Sequence, residues 1–209
     1  MGIKEHWNER YASREDVQLS WTESDPQRVL AWIQQCAQHS DSVVDIGAGR
    51  SGLLIKLLEL GYQKLTHLEL SDVASTDMRQ RLAASAQDID WVCSSVLDWR
   101  PKQSFQVWHD RAVFHFLTEE SDRKSYIEVL ESCLAPDGCA IISTFHTSGP
   151  EKCSGLPICQ YTPEGLLETC NHLGKKTWTL SNQALHAHHT PSGAIQQFQY
   201  SCFKVATSG

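Results

Sequence analysis

A glycine-rich segment beside an acidic side chain is the clearest ligand-binding signature in the chain. In "VVDIGAGRSGLL", Gly47, Gly49 and Gly52 have the G-x-G-x-x-G spacing of nucleotide-binding turns, and Asp45 lies two residues before the first glycine. A carboxylate beside a pyrophosphate would be repelled at a cost of about 1 kcal/mol. A cationic ligand without phosphate removes that conflict, so the motif favours S-adenosylmethionine (SAM) over a dinucleotide.

A second acidic residue supports a ligand with a free ribose. Glu69 ends a predicted strand, 17 residues after Gly52 (69 − 52 = 17). From that position a carboxylate can accept hydrogen bonds from both ribose hydroxyls. The alternative for Glu69 is a solvated charge at the end of a strand. Leu70, the next residue, is predicted to line the same site.

Composition narrows the function classes. The formal net charge of −7 disfavours a nucleic-acid partner. No apolar run approaches the roughly 18 residues of a membrane span. The start "MGIKEHWNER" is polar and has no apolar signal core, so no secretion is expected. The eight cysteines are scattered without C-x-x-C spacing, which favours reduced thiols and a cytoplasmic location. A soft-metal site is disfavoured, because its candidate ligands have no recognised ligand spacing: Cys153, His186, His188 and His189.

The elements that position these residues alternate between strand and helix patterns. Strand-like runs include "SVVDIG", "LTHLEL", "IDWVCSSV", "SFQVWHD" and "CAIISTFH", and helix-like runs lie between most of them, with a turn expected at "APDG". This order predicts a mainly parallel sheet covered on both faces. The last two runs, "KTWTLSNQAL" and "IQQFQYSCFKV", are separated only by a turn and predict an antiparallel edge hairpin. One α/β domain is expected over residues 1–209, with a lid and a helix (from Pro26 to about Gln38) in 1–40 and the core in 41–209.

Long motifs throughout the chain resemble one family. "HWNERYA", "LSWTE", "VVDIGAG", "VWHDRAVFHFLT", "STFHTSGPEKCSGLPICQY" and "HHTPSGAIQQFQYSCF" are similar to a small, single-domain subgroup of class I SAM-dependent methyltransferases. The resemblance implies a Rossmann-like, seven-stranded sheet in the order 3-2-1-4-5-7-6, with strand 7 antiparallel. It also implies that Asp45, Gly47 and Gly49 contact the methionine end of SAM and that Glu69 contacts the ribose.

Two positions depart from the family pattern. The ribose position usually holds Asp rather than Glu69, which is a conservative change. The family commonly has Asp followed by an apolar residue after the third strand, and here Ser95 and Val96 stand at those adenine-binding positions. Serine accepts a hydrogen bond without charge assistance, which roughly halves its strength.

The resemblance also places two candidate catalytic residues near the transferred methyl group. Asp110 ends the fourth strand, where it is predicted to bind cofactor or orient substrate, and His115 lies nearby as a candidate base. The alternatives are structural. Asp110 can pair with Arg111 or cap a short helical turn, and His115 can be a hydrogen-bonded core histidine between two phenylalanines.

The segments expected to cover the site contain aromatic residues and a thiol. Trp7, Tyr11 and Trp21 precede the first strand, where the family has a lid, and can exclude water or contact the sulfonium by cation–π attraction. Trp21 is assigned to the cofactor, and Trp7 and Tyr11 to the substrate. Cys153 in "GPEKCSGLP" is assigned to a substrate-recognition loop, with a structural turn as the alternative.

The function predicted from these residues is methyl transfer from SAM to a small-molecule acceptor, giving S-adenosylhomocysteine (SAH). A protein lysine methyltransferase and a non-catalytic SAM-binding module remain as alternatives. No metal, nucleic acid or membrane partner is expected. The acceptor and the oligomeric state are left open.

Overall fold

A computed structural model of the chain describes residues 2–13, 26–190 and 193–206. The predicted lid residue Trp21 lies outside these ranges, as do Ser24 and Asp25, the candidate caps of the first predicted helix.

The described chain alternates helices and strands, as the sequence pattern predicts. The helices are α1 (Ile3–Ala12), α2 (Gln27–Cys36), α3 (Leu53–Glu59), α4 (Asp72–Leu82), α5 (Glu120–Cys133) and α6 (Pro163–Leu173). The strands are β1 (Ser42–Ile46), β2 (Lys64–Glu69), β3 (Ile89–Cys93), β4 (Phe105–Arg111), β5 (Leu134–Phe145), β6 (Lys152–Cys153), β7 (Leu156–Pro157), β8 (Trp178–His189) and β9 (Ile195–Val205). Short 3₁₀ helices cover Ala83–Asp88 and Phe114–Phe116.

Seven strands form one sheet in the order β3-β2-β1-β4-β5-β9-β8. The pairs from β3 to β5 are parallel, and β9 runs antiparallel to both β5 and β8. The two-residue strands β6 and β7 pair only with each other. When this small hairpin is set aside, the order is the predicted 3-2-1-4-5-7-6, so the Rossmann-like methyltransferase fold and the antiparallel edge hairpin are confirmed.

Alternate side chains of the central strands pack on opposite faces of the sheet. Val43 and Val107 belong to the apolar cluster with α2 and α3, whereas Ile46 and Trp108 belong to the cluster with α5 and α6. This alternation decides which face receives each polar residue at the strand ends.

One local expectation is wrong. The predicted turn at "APDG" (residues 135–138) is part of β5, where the register against β4 shifts between Phe105 and Val107. Gly138 is required there, because a Cβ would lie 2.9 Å from the backbone oxygen of Gln106. The chain therefore bulges within the strand instead of turning before it.

No helix in the described ranges combines the length and apolar character that crossing a membrane requires.

Candidate active site

A cavity of about 450 Å³ lies at the carboxyl ends of β1 to β4. Parallel α/β sheets bind ligands at this edge. Of the predicted site residues, those that line the cavity are Gly47, Glu69, Leu70, Ser95, Val96, Trp7, Tyr11 and Cys153. Asp45, Gly49, Asp110 and His115 are described by the structure but lie outside this lining.

The glycine turn has the geometry for which glycine is needed. Gly47 and Gly49 have φ values of +60° and +52°, in the left-handed region that other residues rarely adopt. A Cβ on Gly47 would clash with Val113, and one on Gly49 would clash with the hydroxyl of Tyr11. The turn is therefore a tight backbone surface at the cavity floor, with α1 directly above it.

Glu69 lines the cavity and is 5% exposed. Its Oε2 accepts from the N–H of Gly49 at 2.9 Å, and its Oε1 accepts from the N–H of Ser71 at 2.7 Å. Burial raises the pKa of this carboxyl to about 7, although the two N–H groups oppose the shift. Glu69 thus connects the glycine turn to the start of α4, and each oxygen keeps acceptor capacity for a ligand.

Asp45 is held by a histidine that sequence reasoning missed. Its Oδ1 lies 2.6 Å from Nδ1 of His109, and both residues are 2% exposed. Asp45 Oδ2 and His109 Nε2 are buried without a hydrogen-bond partner in the described part of the chain. The strand register pairs these two residues across β1 and β4, so period-two reasoning on adjacent strands would have found the contact.

His67 is a second residue that the sequence analysis missed. Its Nε2 lies 3.1 Å from the carbonyl oxygen of Gly49, so this nitrogen carries the donated proton. Desolvation lowers the pKa of His67, which keeps the ring neutral. The imidazole therefore holds the backbone of Gly49, the second glycine of the turn.

Asp110, a predicted catalytic residue, lies outside the cavity lining. It is fully buried, and its carboxylate accepts from the N–H groups of Val113 (2.8 Å) and Phe114 (3.0 Å) and from the hydroxyl of Tyr126 (2.6 Å). Burial raises its pKa to about 6. Strand alternation places Asp110 on the α5 face, opposite Asp45, so its contacts match the alternative of a cap on a short helical turn.

His115, the predicted candidate base, also lies outside the cavity lining. The ring is fully buried beside Phe116 and Phe145, and its Nδ1 accepts from the N–H of Phe145 at 3.3 Å. Desolvation lowers its pKa to about 3, with a smaller contribution from Arg111. These contacts of His115 match the alternative interpretation, a hydrogen-bonded histidine in the core.

The predicted adenine positions lie on the opposite wall. Ser95 and Val96 line the cavity after β3, and the Ser95 hydroxyl accepts from the N–H of Leu97 at 3.2 Å. The same hydroxyl retains a proton to donate. This wall therefore offers an apolar contact and one neutral polar group.

Helix α1 covers the cavity. The Trp7 ring packs edge-on against Phe116 with centroids 5.2 Å apart, and Arg50 donates to the backbone oxygen of Tyr11 at 2.8 Å. Arg10 donates to the backbone oxygen of Ser154 at 2.8 Å, which joins α1 to the β6–β7 hairpin. Two of the predicted lid residues, Trp7 and Tyr11, thus lie on a helix that lines the cavity.

Cys153 lines the cavity from that hairpin and is 4% exposed. Burial raises the pKa of its thiol to about 11, so the thiol stays protonated at neutral pH. Cys153 is therefore suited to be a neutral part of the cavity wall rather than a nucleophile.

Comparisons with known proteins agree with this architecture. A family model for a methyltransferase domain matches residues 43–138. EEF1A lysine methyltransferase 2 from Danio rerio is 24% identical over 184 residues, which cover 80% of this chain and 73% of that protein.

Solved structures share the fold at low sequence identity. One, from work on converting a disulfide bond into a thioacetal group during echinomycin biosynthesis, has a TM-score of 0.74 at 17% identity and covers 100% of this chain and 94% of its own. The Burkholderia thailandensis 1,6-didemethyltoxoflavin-N1-methyltransferase, bound to 1,6-didemethyltoxoflavin and SAH, has a TM-score of 0.69 at 17% identity. The match covers 97% of this chain and 84% of that protein. Residues 43–138 therefore match a methyltransferase domain, and the chain has the fold of class I SAM-dependent methyltransferases.

Proposed function

We propose that the chain transfers the methyl group of SAM to a small-molecule acceptor in the cytoplasm and releases SAH. The observation that carries the proposal is the set of residues that line the cavity described above. Its floor holds Gly47 and Glu69, and its roof holds Trp7 and Cys153. A volume of about 450 Å³ is within the range of small-molecule sites, roughly 300–1,000 Å³. All eight cysteines are free, which supports a reducing compartment.

The residues at the floor suit SAM. Glu69 would accept from the ribose hydroxyls, and the backbone of Gly47, which lines the cavity without a side chain, would allow the methionine end of SAM to approach closely. The unpartnered Asp45 Oδ2 is an acceptor for the α-ammonium group, reached through a small movement or a water molecule. Ser95 and Val96, with Leu70, would hold the adenine.

The proposed catalysis depends on positioning and on exclusion of water. When bound, SAM supplies a methyl carbon on a sulfonium, which a lone pair of the acceptor attacks in line as the carbon–sulfur bond breaks. Trp7 and Phe116 would exclude water from the reacting atoms, and Trp7 offers a ring face to the cationic sulfur. No histidine lines the cavity in the described chain, so the acceptor would be held for attack without a histidine base.

A protein lysine residue is the second candidate acceptor. The Danio rerio relative, a lysine methyltransferase by name, matches 80% of this chain, which favours this alternative. A lysine side chain would enter the same cavity beside Cys153 and Trp7. The third alternative, a non-catalytic module, would bind SAM in the same cavity but would transfer no methyl group.

Calorimetric titration tests the cofactor, and a labelling experiment tests the acceptor. We expect saturable binding of SAM and SAH but none of NAD, and NAD binding without SAM binding would overturn the proposal. SAM with a radiolabelled methyl group is then incubated with the protein and with either the small-molecule or the protein fraction of a lysate. Label in the small-molecule fraction supports the proposal, label in the protein fraction supports a lysine acceptor, and label in neither supports the non-catalytic module.

A further inference from the structure

Three cysteines that are far apart in sequence come together at the end of the sheet away from the cavity. Cys36 is the last residue of α2, Cys139 lies in β5 and Cys202 lies in β9. Their three sulfur atoms all lie within 4.8 Å of one another. Among the His, Cys, Asp and Glu residues in the described ranges, this is the group whose ligand atoms are placed to share a metal ion. We propose that this trithiol cluster binds a thiophilic divalent ion, with Zn²⁺ as the ion that fits its charge.

The backbone explains why the sulfurs converge. Ile141 pairs with Cys202 across β5 and β9, so Cys139 is a diagonal neighbour of Cys202 on the same face. Helix α2 packs on that face, and its final turn brings Cys36 to the pair. Cys139 and Cys202 are fully buried, whereas Cys36 is partly exposed and gives an ion a route from solvent.

The ligand set selects the kind of ion. Sulfur ligands prefer soft or borderline ions such as Zn²⁺ and Cu⁺ over Mg²⁺ or Ca²⁺. A three-sulfur site leaves the fourth tetrahedral position of Zn²⁺ for water or an added ligand. Binding would release the thiol protons to solvent and form three metal–sulfur bonds without any change of oxidation state.

The surroundings favour a divalent over a monovalent ion. Three thiolates with Zn²⁺ carry a net charge of −1, whereas with Cu⁺ they carry −2, and burying net charge is costly. Lys204 lies two residues after Cys202 on the same face of β9 and offsets one negative charge. The C-terminal end of α2, a helix of ten residues, also favours a cation nearby.

This site is separate from the proposed active site. Cys139 lies four residues before Ser143, which pairs with Arg111 at the cavity edge, so about 13 Å of strand separates them. An ion here would connect α2 to β5 and β9, and would contribute to stability without touching SAM or the acceptor. The proposal therefore does not depend on the proposed methyl transfer.

The test uses the full chain, reduced, treated with a chelator and handled without oxygen. Titration with Zn²⁺ against a coloured zinc indicator is expected to show one tight site. Titration with Co²⁺ is expected to give thiolate-to-cobalt charge-transfer bands in the near ultraviolet. If Co²⁺ does not bind, or if it binds without these bands, the proposal is overturned. Binding without the bands would indicate histidine ligands instead of thiolates.

Variants then assign the ligands. We expect Cys36→Ser to weaken Zn²⁺ binding by about 100-fold or more, because loss of partners outside the ligand shell already costs about 10–100-fold. Cys170→Ser, at a buried thiol in the other apolar cluster, is the matched control and should retain the site. Equal binding in wild type and Cys36→Ser, equal loss in both variants, or binding of Cu⁺ without Zn²⁺ would each contradict the assignment.

Discussion

Glu69 is held in place before any cofactor arrives. Two backbone N–H groups, from Gly49 and Ser71, fix its carboxylate at the cavity wall. A preorganised acceptor loses little conformational freedom when a ribose binds. Because burial raises the pKa of Glu69 to about 7, its charge changes near neutral pH.

This shift predicts a pH dependence of cofactor affinity. The ionised carboxylate is the better acceptor for two ribose hydroxyls, so SAH affinity should fall as pH decreases through about 7, by at most about tenfold per pH unit. At pH 8 we expect Glu69→Gln to bind SAH roughly 10–100-fold more weakly, because charge-assisted bonds contribute about 1.5–3 kcal/mol. Calorimetry from pH 6 to pH 8 measures both effects.

The pH slope distinguishes Glu69 from other groups. Glu69→Gln should show nearly constant affinity over that range. Glu59→Gln, at an exposed residue paired with Lys56, is the matched control and should retain the wild-type slope. A slope that persists in Glu69→Gln would assign the titration to another residue.

A chain of hydrogen bonds beneath the site joins β4 to α5. Trp108 Nε1 donates to the Tyr126 hydroxyl at 2.7 Å, and that hydroxyl donates to Asp110. We expect Tyr126→Phe to lower the free energy of unfolding by about 2–3 kcal/mol, because two buried polar atoms lose their partner. Urea unfolding followed by circular dichroism measures the loss.

A second tyrosine supplies the control for this prediction. Tyr62→Phe removes one hydroxyl that donates to the Ala37 carbonyl at 3.3 Å, and should cost less than about 1 kcal/mol. SAH affinity of folded Tyr126→Phe should stay near that of wild type. A stable variant that cannot bind SAH would instead place Asp110 in the cofactor site.

At the scale of elements, α1 is attached to the site by a small apolar cluster, in which Tyr11 and Trp7 pack against α4, and by a few polar bonds, but it belongs to neither of the two large apolar clusters. Its buried residue is Tyr11, and its contacts reach α4 and the β6–β7 hairpin. Elements with few buried apolar residues open at low free-energy cost. Helix α1 is therefore the part of the described structure that would admit ligands.

Removing one attachment should make this opening easier. We expect Arg10→Ala, which loses the bond to the Ser154 carbonyl, to speed amide hydrogen exchange in α1 and to weaken SAH binding by about tenfold. Glu9→Ala, at an exposed position of the same helix, is the control and should change neither quantity. Unchanged exchange in Arg10→Ala would mean that the hairpin does not hold α1.

The elements were largely predictable, whereas side-chain directions at the site were not. The limits of β9 and α6 follow from their apolar spacing and flanking turns, because local pattern and tertiary packing agree there. Helix α1 was missed because its sequence is polar and aromatic without an apolar stripe. Asp110 was assigned to the cavity from its place at a strand end, but the face of the strand, rather than the end, decided its contacts.

At the scale of the whole molecule, ligand binding should appear as added stability. At a concentration 100 times its Kd, SAH should add about 2.7 kcal/mol to the free energy of unfolding. For a chain of 209 residues this corresponds to a rise in Tm of about 5–10 °C. Differential scanning calorimetry measures the shift, NAD at the same concentration is the control, and an equal shift with NAD would contradict the SAM assignment.

The burial of Asp110 indicates where substitutions could alter the choice of methyl acceptor. Its carboxylate is fully buried, whereas Cys153, Leu156 and Pro157 line the cavity from a small hairpin outside the main sheet. Replacing residues 150–158 with a segment of different shape should redirect acceptor choice while the molecule still folds. Diversity in a mutant library belongs at the exposed positions of that hairpin segment, since substitutions around the buried Asp110 would be lost as unfolded protein before selection.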